Sequence, residues 1–188
     1  RKRGEYAQQA AFLTPIVKAH ATDIGHEVAS MGIQCFGGTG YIRETGIEQN
    51  LRDAKIAQIY EGTNGIQAID LLTRKLAFKG VAEHFITEMK AFESLSETAY
   101  MLELTTKALR DALQNIKHEQ ALFVATPNLK LWGISMGALM MQQRLKACAK
   151  TAVSAEQKEA HAAFVNYYMQ FILPETKSIA ETILKHLS

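Results

Sequence analysis

The residues best suited to chemistry lie in the segment Tyr60-Glu61-Gly62-Thr63-Asn64, which places one carboxylate between two helical patterns. A carboxylate within hydrogen-bond reach of a weakly acidic C–H group can act as a general base. The adjacent Gly62 has no Cβ, so a ligand can approach the backbone closely there. An isolated glutamate at a helix start is more often a solvated charge that suits the helix dipole. Residue type alone therefore leaves both interpretations of Glu61 open.

A second unusual segment, Gln34-Cys35-Phe36-Gly37-Gly38-Thr39-Gly40-Tyr41, is rich in glycine and closes a helical pattern. It is not a dinucleotide-binding fingerprint, because no strand precedes it and the G-x-G-x-x-G spacing is not met. Its spacing favours a helix C-cap in which glycine supplies a positive φ.

Three helical patterns surround these segments. The first helix ends at Gly32 and the following glycine turn, and its apolar face carries Val17, Ala21, Ile24, Val28 and Met31. The second runs from about Ile47 to Tyr60, with Leu51, Ala54 and either Ile56 or Ala57 inward. The third begins near Thr63 and carries Ile66, Ile69, Leu72 and Leu76 on one side. Thr63 or Asn64 is its predicted N-cap.

After about residue 79 glycine becomes rare and about four antiparallel helices are expected, a plausible bundle. Pro127 fits the first turn of one helix, and Pro174 either kinks the last pattern or starts a separate helix. The predicted inward residues of this region are Phe85, Met89, Phe92, Leu102, Leu109, Leu113, Ile116, Phe123, Leu131, Ile134, Ala138, Met141, Leu145, Cys148, Phe164, Tyr168, Phe171, Ile179, Ile183 and Leu187.

Composition indicates a globular protein rich in helix. Hydrophobic residues make up 47% of the chain and charged residues 21%, and only three prolines interrupt it. A net charge of +2 without a polybasic stripe argues against a nucleic-acid groove. The apolar stretch 129–141 is too short to span a bilayer. Neither the two cysteines nor the six histidines have metal-ligand spacing, and the cysteines fit a reducing compartment such as the cytoplasm.

Taken together, the order of motifs over residues 14–76 resembles the catalytic helical domain of acyl-CoA dehydrogenases. The helix, Gln-x-x-Gly-Gly-x-Gly, the helix with Arg52-Asp53 and then Tyr-Glu-Gly-Thr follow one another as in that family. The resemblance implies that Glu61 removes the α-proton of an acyl-CoA thioester while FAD accepts the β-hydride. It also implies that the backbone N–H of Glu61 stabilises the thioester oxygen, together with a ribityl hydroxyl of FAD.

The same resemblance assigns roles to further residues. Gln34, Gly37 and Gly38 match positions that contact the ADP part of FAD, bound mainly by a neighbouring subunit, and Thr63 matches another FAD contact. Gly62 lets thioester and flavin pack close to the backbone. Gly65 departs from the family, since many relatives have Glu or Gln there. Arg52 and Asp53 are interpreted as a structural pair joining helices without a chemical role, because ion pairs of this kind more often support the fold than take part in catalysis.

The expected fold class is all-α. An up-and-down helical bundle, the end of the catalytic domain, covers residues 1–79, and a second helical bundle covers residues 80–188. The second part resembles the extension of longer family members, including enzymes acting on methylthiopropanoyl-CoA. We expect a C-terminal fragment that lacks two preceding domains, does not form the flavin site by itself and exposes an apolar patch favouring dimerisation.

The expected partners are an acyl-CoA substrate, an electron-transfer flavoprotein and further copies of the chain in a dimer or tetramer. Two alternatives stay open. An acyl-CoA oxidase shares the fold and the glutamate but gives its electrons to oxygen. A non-catalytic helical interaction domain would not depend on Glu61.

Overall fold

The chain is all-α, as the sequence predicts. A computed structural model describes residues 2–114, 118–150 and 154–188, and it is 87% helical with no strand in those ranges. Across the described ranges, no helix combines the length and the apolar character needed to cross a membrane.

The first part of the chain is built on one long helix. The elements are α1 (Lys2–Phe36), α2 (Gly38–Tyr41), α3 (Ile47–Ala57) and α4 (Asn64–Asp70). A π-helical turn, Leu71–Lys75, follows α4 directly. Helices α3 and α4 both pack along α1, so α1 supplies the surface on which the loop before α4 is held.

Within the residues that the structure describes, the second part of the chain contains six α-helices. They are α5 (Val81–Lys90), α6 (Ser96–Gln114), α7 (His118–Phe123), α8 (Ala125–Cys148), α9 (Ala155–Tyr167) and α10 (Glu175–Leu187). Pro127 lies in the first turn of α8, as predicted, and Pro174 is the N-cap of a separate helix. Pro174 therefore starts a new helix and does not kink the preceding one. The prediction of about four helices in this part is too low.

The two parts share one hydrophobic core. Phe12 of α1 makes an edge contact with Trp132 of α8, with ring centroids 5.0 Å apart, and a stacked contact with Phe85 of α5 at 5.8 Å. Phe12 and Trp132 are fully buried. Burial of large aromatic side chains contributes strongly to packing, so this cluster fixes α1 against the helices of the second part.

Several predicted inward positions of the first part are exposed. The stripe on α1 is helical as predicted, but all five of its residues are exposed, namely Val17, Ala21, Ile24, Val28 and Met31. The buried face is formed by Phe12, Ile16 and Ala19 instead. The cause is that α8 and α4 pack against this face of α1, where Phe12 contacts Trp132 of α8 and the Ala19 carbonyl accepts a hydrogen bond from Asn64 of α4. The exposed residues of the predicted stripe form an apolar surface, as expected.

The inward faces of α3 and α4 also differ from prediction. Ala57, not Ile56, continues the half-buried face of α3. Ile66 and Ile69 are exposed, because α4 lies between α1 and α8 and presents another face to them. The residues on that buried face are Ala68, Leu71, Leu72 and Leu76, of which the last two were predicted.

In the second part, Phe85, Met89, Leu102, Leu109, Leu131, Ile134, Ala138, Tyr168, Ile183 and Leu187 are buried as predicted. Phe123, Phe164 and Phe171 are exposed, contrary to prediction. A π-helical turn at Tyr168–Ile172 changes the helical register after α9, so that Leu173 and not Phe171 takes the buried position. Before this turn, Val165 is buried instead of its neighbour Phe164. Ile116 lies outside the described residues.

Candidate functional site

Glu61 lies in the loop between α3 and α4 with an unusual backbone conformation. Its φ is 56°, and it is the one non-glycine residue with positive φ in the described part of the chain. Gly62 follows with φ 85°. Side chains rarely adopt this conformation, and such residues cluster at functional sites. The side chain of Glu61 is exposed, so its carboxylate faces outward from a constrained backbone.

Thr63 ends the loop as the N-cap of α4. Its hydroxyl oxygen accepts a hydrogen bond from the backbone N–H of Ile66 at 3.4 Å. This decides between the two predicted caps and leaves the side chain of Asn64 free for other contacts. Glu61 therefore precedes the helix by three residues and is not in its first turn, which separates it from a simple helix-start carboxylate.

A set of polar side chains, which we call the Asn64 network, ties this loop to α1. Its members are Lys18, Thr22, Asp23, Gln58 and Asn64. The Asn64 amide donates to Asp23 Oδ1 at 2.7 Å, to Thr22 Oγ1 at 3.0 Å and to the Ala19 carbonyl at 3.2 Å. Lys18 Nζ donates to Asn64 Oδ1 at 2.7 Å.

The network also reaches the backbone of the loop on both sides of Glu61. Gln58 Nε2 donates to Asp23 Oδ1 at 2.7 Å, and the Asn64 N–H donates to the Gln58 carbonyl at 3.1 Å. Lys18 Nζ donates to the Gly62 carbonyl at 2.8 Å. The bonds from α1 therefore hold the entry and the exit of the loop at once.

Sequence reasoning missed Lys18, Thr22, Asp23 and Gln58, and it gave Asn64 only a possible role as an N-cap. A faint signal was available, since Lys18, Thr22 and Asp23 are polar at i, i+4 and i+5 next to the apolar stripe of α1. Asn64, to which all three residues bind, lies more than 40 residues later in the sequence. Helical periodicity carries no information about contacts over such a separation.

The glycine turn after α1 is a helix C-terminus, as its spacing predicts. Gly37 has φ 59°, its N–H donates to the Gln34 carbonyl at 3.1 Å, and the Gly40 N–H donates to the Gly37 carbonyl at 3.0 Å. Gly40 is buried, and a Cβ there would come within 2.6 Å of the Ile33 carbonyl. Glycine is thus required at 37 by conformation and at 40 by packing.

Gly38 is different. Its φ is not positive, and a Cβ built on it would meet no atom within 4 Å. Packing and conformation within the described chain therefore give no reason for glycine at this position. Gln34 is also exposed. Space around Gly38 and a free side chain at Gln34 are compatible with a ligand or a neighbouring chain that approaches this turn.

The predicted site residues are not all brought together. Glu61, Gly62 and Thr63 lie where the Asn64 network begins on α1, at Lys18. Gln34 lies 16 positions further along the same helix, which corresponds to about 24 Å at 1.5 Å per residue. The loop and the glycine turn are therefore two separate surfaces of one helix.

Two other predictions concern charged and titratable residues. Asp53 accepts a bond from Gln49 of its own helix at 2.7 Å, and Arg52 and Asp53 make no ion pair between helices among the described residues. The interpretation as a pair joining helices is wrong, because both side chains point to solvent. His20 is half-buried against α8, and desolvation lowers its pKa, opposed by Asp23 and reinforced by Lys130.

Comparison with known proteins identifies the family to which the chain belongs. A profile described as "Acyl-CoA dehydrogenase, C-terminal domain" matches residues 2–77, and one described as "Acetyl-CoA dehydrogenase C-terminal like" matches residues 76–186. The chain belongs to the acyl-CoA dehydrogenase family. This confirms the resemblance seen in the motifs and makes the chain part of a family of enzymes.

Curated acyl-CoA dehydrogenases are similar along much of this chain. The 3-methylmercaptopropionyl-CoA dehydrogenase of Ruegeria pomeroyi is 38% identical over 86% of the chain and 28% of its own length. The broad-specificity linear acyl-CoA dehydrogenase FadE5 of Mycobacterium tuberculosis is 27% identical over 92% of the chain and 33% of its own length. Acyl-CoA dehydrogenase family member 11 of Caenorhabditis elegans is 30% identical over 68% of the chain and 20% of its own length.

The chain therefore spans about a fifth to a third of the length of these acyl-CoA dehydrogenases. All three matches cross from the first family profile into the second, because they cover 86%, 92% and 68% of the chain. The similarity thus includes the Glu61 loop region and the later helices, not the motif-rich part alone.

Proposed function

We propose that the chain is the part of an FAD-dependent acyl-CoA dehydrogenase that carries the catalytic base, Glu61. The single observation that supports this role most is the backbone of Glu61, which has a φ of 56° and an outward carboxylate. Conformational strain at a residue of the right chemical type is a reason to suspect function. Family membership supplies the chemistry that a carboxylate here would perform.

In the proposed reaction the Glu61 carboxylate accepts the α-proton of an acyl-CoA, and the product is the 2,3-enoyl-CoA. Gly62 lets the thioester come close to the backbone, and the backbone N–H of Glu61 donates to the thioester oxygen as negative charge develops there. Thr63 keeps the loop at the start of α4 while its hydroxyl can still donate to a ligand. FAD, when bound, would accept the hydride that leaves the β-carbon.

The residues at the glycine turn fit a role in binding FAD. Gly38 has open space around it, and the side chain of Gln34 is exposed. Since about 24 Å of helix separates this turn from the Glu61 loop, we propose that Gln34, Gly37 and Gly38 contact the ADP part of an FAD bound mainly by a partner subunit. The functional protein would then be a homo-oligomer.

The acyl group and the electron acceptor are also proposals. The names of two relatives refer to 3-methylmercaptopropionyl-CoA and to linear acyl-CoA thioesters, so short thioether and straight-chain thioesters are the first substrates to test, with fatty acid β-oxidation as a setting for the latter. We propose an electron-transfer flavoprotein as acceptor. The free cysteines Cys35 and Cys148 are compatible with a cytoplasmic location.

We also propose that the chain is organised in two parts, residues 1–79 and residues 80–188. The first part holds the proposed base and flavin contacts. The second supports it, because Trp132 and Phe85 pack against Phe12 of α1.

The test is anaerobic reduction of the flavin in the flavin-loaded protein that contains this chain. Acyl-CoA thioesters of different length and polarity are added, and loss of flavin absorbance is followed for wild type and Glu61→Gln. We expect bleaching with at least one thioester in wild type and none in the variant. No bleaching in wild type, or equal bleaching in both, contradicts the proposal. Peroxide formed at the rate of turnover in air would identify an oxidase instead.

A further inference from the structure

The position of the Glu61 loop depends on hydrogen bonds rather than on buried side chains. All residues from 59 to 63 are exposed, so the hydrophobic core does not hold them. Glu61 and Gly62 both have positive φ, a conformation that a free loop would leave readily. Whatever fixes this backbone must therefore act through polar contacts.

Two side chains from different helices bind the two consecutive carbonyl groups of the loop. Gln67 Nε2 of α4 donates to the Glu61 carbonyl at 3.0 Å, and Lys18 Nζ of α1 donates to the Gly62 carbonyl at 2.8 Å. These bonds orient the peptide units on the C-terminal side of Glu61. Lys18 carries a charge, and charge-assisted hydrogen bonds are stronger than neutral ones.

The remainder of the Asn64 network orients Lys18. The Asn64 amide nitrogen faces three acceptors on α1, Asp23, Thr22 and Ala19, which share its two hydrogens, and its oxygen therefore faces Lys18 at 2.7 Å. The half-buried Lys18 side chain is thus fixed between two oxygen acceptors. A flexible lysine held in this way can transmit the position of α1 to the loop.

We propose that Lys18 is a positioning residue for proton abstraction, acting through the Gly62 carbonyl on the backbone of Glu61, with Asp23 and Asn64 setting its direction. The inference rests on the proposed role of Glu61. Misplacement of a catalytic group by about 1 Å can lower the rate by about 100-fold. Removing the bond should therefore lower kcat, whereas KM should change little, because the hydrogen bonds of Lys18 Nζ go to the Gly62 carbonyl and to Asn64 Oδ1 and are not needed to bind the acyl-CoA.

The first measurement tests whether Lys18 holds the loop in the folded protein, and it does not depend on enzyme activity. Hydrogen exchange is followed at the backbone amides of Tyr60 and Asn64, which donate to Ile56 and Gln58. We expect about tenfold faster exchange in Lys18→Met and partial return to the wild-type rate in Lys18→Arg. The control Lys90→Met, which among the described residues loses an ion pair with Glu103 far from the loop in sequence, should show no change. Unchanged exchange in Lys18→Met would show that Lys18 does not hold the loop.

The second measurement separates positioning from folding. In the flavin-loaded protein that contains this chain, kcat per bound flavin should fall about 10- to 100-fold in Lys18→Met, with KM changed less than about threefold and activity partly restored in Lys18→Arg. Faster exchange with unchanged kcat would overturn the link to catalysis. Absence of bleaching in wild type would instead refute the proposed function, and the exchange data would still decide whether Lys18 holds the loop.

Discussion

The imidazole of His20 on α1 lies against Gly133 on α8, at a point where a Cβ on residue 133 would come within 2.5 Å of the ring. Glycine at 133 thus lets α1 approach α8 closely. Because the Asn64 network starts from the same turn of α1, this contact also fixes the helix that carries Lys18, Thr22 and Asp23.

The first prediction concerns this close approach. Gly133→Ala should lower the free energy of unfolding by about 1–3 kcal/mol, since overpacking forces side chains or backbone to shift. Gly25→Ala is the matched control, because a Cβ at Gly25 meets nothing within 4 Å and alanine favours the helix by about 1 kcal/mol. Urea unfolding measures both. Equal stability of the two variants would contradict the contact.

The second prediction is a pH dependence of stability that comes from His20. Burial lowers the pKa of His20 below its ordinary value of 6.5, so the unfolded chain binds the proton more readily than the folded protein. The contribution to stability is complete above pH 6.5 and is lost as the pH falls through the lowered pKa. Wild type should therefore lose more stability between pH 7.5 and 5 than His20→Gln does. Parallel curves for the two proteins would refute this.

A third prediction concerns Tyr168, which packs over Gly137. Its buried hydroxyl donates to the Ile134 carbonyl at 3.0 Å, and burial raises the pKa of Tyr168 to about 12. Tyr168→Phe should cost about 0.5–1.5 kcal/mol. Gly137→Ala should cost more in wild type than in Tyr168→Phe, because the added methyl group meets the hydroxyl. Urea unfolding of the double-mutant cycle measures this coupling, and strict additivity would contradict the contact.

The fourth prediction separates stability from activity at Glu61. Because φ is positive there, Glu61→Gly should leave stability unchanged or raise it by up to about 1 kcal/mol, as relief of backbone strain offsets the greater freedom of unfolded glycine. Glu61→Gln keeps the strain and should match wild type in stability. Thermal unfolding compares the three proteins. A loss above about 1 kcal/mol in Glu61→Gly would argue against strain at this residue.

Local sequence signals predicted much of the fold. The long patterns, the Thr63 cap, the glycine turn and the helix starts at Pro127 and Pro174 depend on nearby residues. Local signals could not predict that Val17 and Ile66 are exposed, because their exposure depends on which helices pack against α1 and α4. The π-helical turn at Tyr168 likewise changes a register that a constant helical period assumes.

At the candidate site, the residue types were readable and the supporting contacts were not. Glu61 stood out through its motif, but its positive φ is a tertiary property. Lys18 and Asn64 meet across 46 positions of sequence, and a single sequence gives no measure of such a distance. For Gly38 the opposite holds: the motif identified this glycine, but neither the packing nor the backbone conformation of the described chain requires glycine there.

The most direct test of the central claim isolates proton abstraction from hydride transfer. An acyl-CoA with sulfur in place of the β-carbon has α-protons but no β-hydrogen to lose. In heavy water, the flavin-loaded protein that contains this chain should exchange those α-protons for deuterium, measured by mass spectrometry. We expect Glu61→Gln to lower the exchange rate at least about 100-fold, while Glu48→Gln, which changes a half-buried glutamate in the first turn of α3, has no effect. Exchange at the wild-type rate in Glu61→Gln would contradict the account.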